Sequence, residues 1–204
     1  EGFCGLGLHL CMDGFRALYC LVASLMWMMT SFFSMEYMES YTSRNRYRFF
    51  TLLTLGATVG VFLSADLYTA FIFFEIMSFT SYTWVAHEET YLAVAVIGGL
   101  VMLMGLFILY RELGTLEITA LAEAVRSHTL AGESGAVRYR NLFIGASCLL
   151  FGFGAKAGVF PLHIWLPKAH PVAPAPASAL LSGILTKAGI FGVLVVSCSL
   201  LQFD

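Results

Sequence analysis

Long runs without a charged residue alternate with short polar interruptions along this chain. Ala17–Met35, Phe49–Ala65, Thr90–Tyr110 and Ala188–Phe203 carry no charge, and each approaches the roughly 17–25 apolar residues that cross a bilayer as a helix. Further runs are apolar but for one charge: Leu67–Ala86 holds Glu75, Asn141–Phe160 holds Lys156, and Pro174–Cys198 holds Lys187. The pattern predicts an all-α fold, a polytopic membrane helix bundle with about six transmembrane helices at 15–36, 47–65, 67–86, 91–111, 141–168 (broken) and 175–200, in a single transmembrane domain over 1–204.

The polar interruptions supply the links. Glu36–Arg48 is a polar connection, and its Arg44, Arg46 and Arg48 favour the cytoplasmic side. His87–Thr90 is long enough only for a turn. Residues 112–140 form the one long connection, a surface loop in which Leu113, Leu116, Ile118, Leu121, Ala122 and Val125 recur at roughly helical spacing, as a short amphipathic surface helix requires. Its charges balance, with Arg111, Arg126, Arg138 and Arg140 against Glu112, Glu117, Glu123 and Glu133, which suits a solvated face.

Composition narrows the class. Of 204 residues, 59% are hydrophobic and 12% charged, against about 25% charged in a soluble domain. The mean hydropathy of +0.81 excludes disorder, and a net charge of −2 with a pI near 6.2 leaves no basic field for nucleic acid. Cys4, Cys11, Cys20, Cys148 and Cys198 lack metal-ligand spacing and read as small apolar residues. There is no phosphate loop, nucleophile elbow, metal cluster or haem or flavin signature, so neither a cofactor nor a redox or hydrolytic site is expected. The chain starts Glu-Gly-Phe-Cys and stops straight after an apolar run, as a piece of a longer protein would.

All five prolines fall in Pro161–Pro176. Pro161 removes a backbone donor and blocks the carbonyl four residues earlier, while Gly152, Gly154 and Gly158 weaken the approach. A discontinuous helix follows, broken between about Ala155 and Pro161 with Lys156 at the break. Such breaks occur at membrane depth only where protein or a water-filled cavity satisfies the freed groups.

Three buried charges stand out, because each costs about 2.5–3.5 kcal/mol at the centre of a membrane helix. Glu75 is too short to snorkel from the middle of its span and Lys187 lies midway along its own. Glu75, Ser78 and Tyr82 form one polar stripe on a helix. Ser178 and Ser182 repeat the pattern ahead of Lys187, where close helix packing explains small residues equally well. His163, inside the broken segment and near Lys156, has the chemistry of a proton carrier. Lys168 and His170 belong at the membrane edge, Asp66 reads as a helix cap or an interfacial turn, and His9, His87 and His128 as solvated. A buried acid, buried bases and a broken helix are the parts of an ion pathway.

These residues also carry a family likeness. Gly154-Ala-Lys-Ala-Gly-Val-Phe-Pro-Leu-His-Ile-Trp-Leu-Pro-Lys-Ala-His170, followed by Pro174–Ser182 and Gly183-Ile-Leu-Thr-Lys187, resembles the signature of the antiporter-like subunits of respiratory complex I, Mrp-type cation/proton antiporters and formate-hydrogenlyase-type membrane hydrogenases. Phe73-Phe-Glu-Ile-Met-Ser78 resembles their acidic helix. The resemblance implies that Glu75 is the membrane glutamate that pairs with Lys156, that Lys187 and His163 complete a proton relay, and that the chain holds the first five-helix repeat of a larger inverted-repeat fold. It further implies other membrane subunits as partners in the plasma membrane of a prokaryote, with protons, and possible exchange for sodium, as cargo. Three readings stay open: a proton-translocating subunit of a redox-driven or antiporter complex, a sodium–proton exchange subunit, and an inert scaffold anchoring a redox module in the lipid bilayer.

Overall fold

The first free amides of a helix need acceptors, and two aspartates supply them here. In the computed structural model, which describes residues 7–41, 44–85, 89–130 and 135–201, Asp13 accepts from the Arg16 amide at 2.8 Å and starts α1, Gly14–Tyr37. Asp66 accepts from the amide and the hydroxyl of Thr69, both at 2.7 Å, and starts α3, Leu67–Tyr82, the capping role expected of it. Between them lies α2, Arg44–Leu63, and after them come α4, Glu89–Leu113, α5, Ile118–Leu130, and α6, Gly135–Ala157. A tight turn at Leu162–Trp165 leads into α7, Leu166–Val172, and then α8, Ala175–Leu180, runs through a wide turn at Leu181–Leu185 into α9, Thr186–Val196.

Helices thus stand at the six places where the hydrophobic pattern predicts spans. Four stretches are long and apolar enough to cross a membrane: Gly14–Tyr37, Glu89–Leu113, Tyr139–Val172 and Ala175–Leu200. The other two are more polar or shorter, α2 because Arg44, Arg46 and Arg48 occupy its first turns and α3 because it has 16 residues. Large apolar side chains cover the outside, among them Leu21 at 67%, Phe79 at 69% and Phe107 at 68% exposed. That surface suits lipid, not water, and the chain is a multi-pass membrane protein.

The largest boundary differences from the sequence expectation fall in two places. The helix expected over 67–86 ends at Tyr82, where the backbone tightens into turns with the Thr83 amide on the Thr80 carbonyl at 3.3 Å and the Trp84 amide on the Ser81 carbonyl at 3.1 Å. The connection expected as a surface loop over 112–140 contains α5 on its predicted apolar spacing, with Leu121 fully buried, and α6 begins at Gly135, six residues before the expected 141. His87 lies outside the described residues, as does the side chain of His128.

Small residues set the depth of packing. A Cβ on Gly105 of α4 would come within 2.8 Å of the Gly145 carbonyl and of Cys148 Cβ on α6, and one on Gly152 within 2.7 Å of Met102 Cβ. On the far side of α6, a Cβ on Gly189 of α9 would lie 2.6 Å from the Ala157 amide. Helix α6 is therefore clasped between α4 and α9 at backbone distance. At one end of the bundle three extended segments join by backbone bonds: Ala65 donates to His9 at 2.8 Å, and Ile118 donates to Ala65 at 3.0 Å. They tie together the entry to α1, the α2–α3 turn and the start of α5.

Candidate functional site

The break in α6 places the first functional side chain. Gly158 adopts φ +76° and the Val159 amide bonds back to the Gly154 carbonyl at 3.0 Å, the geometry with which a helix closes on a left-handed residue. This leaves the Ala155 carbonyl without a helical donor, and the indole N–H of Trp165, fully buried beyond Pro161, donates to it at 2.8 Å. Protein thus satisfies the broken backbone, as membrane depth demands. Lys156 sits at this end of α6 and is 4% exposed, which removes snorkelling as its explanation.

Lys156 does not meet a carboxylate. Its ammonium donates to the Tyr91 hydroxyl of α4 at 2.5 Å and lies 3.4 Å from Ser81 Oγ of α3. Of the Glu75 pairing expected, direct or through one water, the direct contact is not made, whereas Arg16 does pair with its own carboxylate, Asp13, at 3.0 Å. The carboxylate of Glu75 instead lies against α4, where a Cβ on Gly99 would approach Oε1 to 2.6 Å. Only a glycine leaves room for it, and its Oε1 is buried without a hydrogen-bond partner.

Glu75 and Lys156 nevertheless flank the same stretch of α4. A Cβ on Gly98 would lie 3.2 Å from Ala155 Cβ, next to Lys156, while Gly99 faces Glu75. A cavity of about 10 Å³, lined by Phe74, Ser78, Tyr91, Ala95, Lys156 and Trp165 among others, lies beside Lys156 where α3, α4 and α6 meet and is of the size that holds one water.

The other predicted residues are placed differently. His163 lies in the Leu162–Trp165 turn, its ring stacked on Phe160 with centroids 5.7 Å apart and its Nδ1 buried without a partner. Lys187, expected inside its span, is exposed on the surface of this chain, since Thr186, Ala188 and Gly189 turn the packed face of α9 inward. Its ammonium folds back to the Ser182 carbonyl at 2.8 Å, in the wide turn ahead of α9. Ser178 belongs to another pair, with His170 Nδ1 at 2.6 Å, and Lys168 donates to Thr90 at 2.9 Å. Among the described residues, no three His, Cys, Asp or Glu side chains gather as metal ligands would.

Sequence reasoning missed Tyr91 and Ser81. Ser81 lies three residues beyond Ser78 on the polar stripe, so helical spacing could have found it. Tyr91 follows a polar turn at the start of a span, where a tyrosine reads as an interfacial anchor.

Comparisons with known proteins bear on this arrangement. Residues 64–204 match the family described as NADH:quinone oxidoreductase/Mrp antiporter, transmembrane. The chain is 34% identical over 205 residues to hydrogenase-4 component B of Escherichia coli, covering 95% of this chain and 29% of that protein. It is 31% identical over 199 residues to a Na(+)/H(+) antiporter subunit of Alkalihalophilus pseudofirmus, covering 92% and 38%. Among solved structures, a chain of the Mrp complex from a Dietzia species superimposes with a TM-score of 0.77 at 25% identity over 97% of this chain and 37% of that one. A chain of the archaeal membrane-bound sulfane sulfur reductase shares the fold, with a TM-score of 0.79 at 24% identity over 95% and 31%. The chain spans well under half the length of each.

Proposed function

This chain belongs to the NADH:quinone oxidoreductase/Mrp antiporter transmembrane family, and we propose on that footing that it forms the part of a proton-translocating membrane subunit in which Glu75, Lys156, His163 and Lys187 relay protons. The observation that carries the reading is a lysine at a helix break, 4% exposed, beside a helix whose glutamate neighbour has a buried and unpartnered oxygen. An inert scaffold has no use for such a pair, since each charge opposes insertion.

The physical mechanism is positional. In surroundings that solvate ions poorly, a carboxylate beside an amine favours the protonated amine, and the same amine alone favours release. Movement of Lys156 toward or away from Glu75 therefore couples side-chain position to proton binding. Gly98 and Gly99 set Ala155, next to Lys156, and the Glu75 carboxylate against adjoining positions of α4, so the exchange takes place between neighbouring helices. His163, with Nδ1 free of other partners, is the group suited to take a proton at the break, and Lys187 on the adjoining helix, although it faces out of this chain, is assigned as the next acceptor on the family likeness. Other membrane subunits, in the plasma membrane of a prokaryote, supply the driving reaction, and this chain holds the path.

The test uses the full-length protein in its own complex, in inverted vesicles. Glu75→Gln keeps shape and hydrogen bonding but cannot hold the lysine by charge, and Lys187→Met keeps length and suits lipid. Both are expected to assemble and to lose proton translocation. Wild-type translocation in both would overturn the relay in favour of the scaffold, and a loss that added sodium alone restores would identify sodium–proton exchange.

A further inference from the structure

Lys156 rests on two hydroxyls, and the direction of their hydrogen bonds follows atom by atom. Ser81 Oγ lies 2.6 Å from the Met77 carbonyl one turn back, and a carbonyl only accepts, so the single serine proton is committed there. Ser81 Oγ also lies 2.6 Å from the Tyr91 hydroxyl. With the serine proton engaged, that bond runs from Tyr91 to Ser81. The tyrosine proton is then committed too, and the pair turns only lone pairs toward Lys156, at 2.5 Å from Tyr91 and 3.4 Å from Ser81. A site built of acceptors suits an ammonium, which has three donors and no acceptor.

The site is also rigid. The Tyr91 ring meets Trp165 edge to face, with centroids 5.0 Å apart at 71°, and lies parallel to Tyr82 at 6.3 Å and 8°. Trp165 is itself bonded to the carbonyl freed at the helix break. Hydroxyl pair and break therefore form one unit. Across the shared stretch of α4, Glu75 Oε1 is an acceptor that lacks a donor. One ammonium thus has two acceptor sites within the same cluster of helices, and it occupies the neutral one.

We propose that the Tyr91–Ser81 hydroxyl pair is a second docking position for the Lys156 ammonium, which holds the lysine off Glu75, and that Tyr91 is thereby a positioning residue of the relay. The proposal rests on the relay reading above and assigns it its two end states: ammonium on Tyr91 and Ser81, or ammonium on Glu75. Neutral oxygens release the lysine at lower cost than a carboxylate does, because they offer the ammonium a hydrogen bond without the attraction of an opposite charge. The hydroxyl dock is thus the position from which Lys156 exchanges partners.

The test compares Tyr91→Phe with Glu75→Gln in the full-length protein within its complex. Phenylalanine keeps the ring between Trp165 and Tyr82 and removes only the oxygen. Without the dock Lys156 settles on Glu75, so the initial rate of proton translocation falls about tenfold, the change that loss of one hydrogen bond to a charged group imposes on a two-position equilibrium. The infrared carboxyl band of Glu75, identified as the band missing from Glu75→Gln, should shift in Tyr91→Phe as the carboxylate gains the ammonium. An unmoved band overturns the dock whether or not the rate falls, since a slower rate alone would reflect packing. If Tyr91→Phe fails to assemble, Ser81→Ala, which leaves the closer Tyr91 oxygen in place, is expected to give a smaller shift of the same band, and an unmoved band overturns the paired dock. Wild-type translocation in Glu75→Gln would instead remove the relay reading, independently of where Lys156 rests.

Discussion

Buried charges occur in two regions of this protein and are treated in opposite ways. Where the α2–α3 turn meets the entry to α1, Arg16, 5% exposed, bonds the Ser64 carbonyl at 2.5 Å and Asp13 at 3.0 Å, while Asp66 takes two donors from Thr69. At the break in α6, Lys156 rests on neutral hydroxyls, Glu75 has an oxygen without a partner, and His163 has a buried nitrogen without one. The first region is saturated, so its charges have nowhere better to go and serve as fixed joints. The second is unsaturated, with more acceptors than the one ammonium can serve. An unmet buried acceptor is costly in a static structure, and it is the arrangement a moving charge requires. Under the proposed relay, completeness of partnership, more than burial, separates the structural charges from the working ones.

The largest effect is expected at the lysine. Lys156→Met, which removes the ammonium of the unsaturated region, should lower proton translocation by roughly tenfold or more, the scale of a lost charge-assisted interaction, while assembly of the complex, followed by native electrophoresis, is retained. Retained translocation would place the working charge elsewhere.

Next in size is the frame that holds both sites. Gly105→Leu drives a side chain into Cys148 Cβ and the Gly145 carbonyl, each 2.8 Å from where its Cβ would stand, and should destabilise the bundle by about 1–3 kcal/mol. A lower melting temperature of the purified complex is the readout, and an unchanged one would show that α4 and α6 are not clasped at backbone distance.

A smaller effect belongs to the saturated region. Asp66→Ala removes the cap of α3 and is expected to cost about 1 kcal/mol, seen as a modest fall in melting temperature, with translocation per assembled complex unchanged. A loss of translocation out of proportion to stability would give this region a working role and dissolve the contrast. Smallest is Lys168→Met: the exposed Lys168 to Thr90 bond should matter by no more than about 0.5 kcal/mol, and a large defect would show that a charge at the edge of the bundle belongs with Lys156.

How much of this is legible in the sequence depends on range. The helices, the break between Ala155 and Pro161, the amphipathic α5 and the cap at Asp66 are all open to sequence reasoning, since charge-free length, proline and glycine placement, helical spacing and capping act within a few residues of one another. Glu75, Lys156, His163 and Lys187 stand out for the same reason, as polar groups in apolar runs, and the family block around Lys156 makes their grouping explicit. Their partners do not stand out. That Lys156 lies on Tyr91 and Ser81, that Glu75 lies against Gly99, and that Lys187 faces out of this chain depend on how α4, α6 and α9 approach. The approach is set by which glycines meet across which helix faces, a property of pairs of positions about 24 to 75 residues apart along the chain that no local pattern encodes. Sequence by itself determined which groups would interrupt the apolar runs and where the backbone would break, because insertion into lipid and the helical hydrogen-bond ladder are local accounts. Only the tertiary structure decided which buried groups are satisfied and which are left free to exchange partners, because that depends on distances of a few ångströms between separate helices.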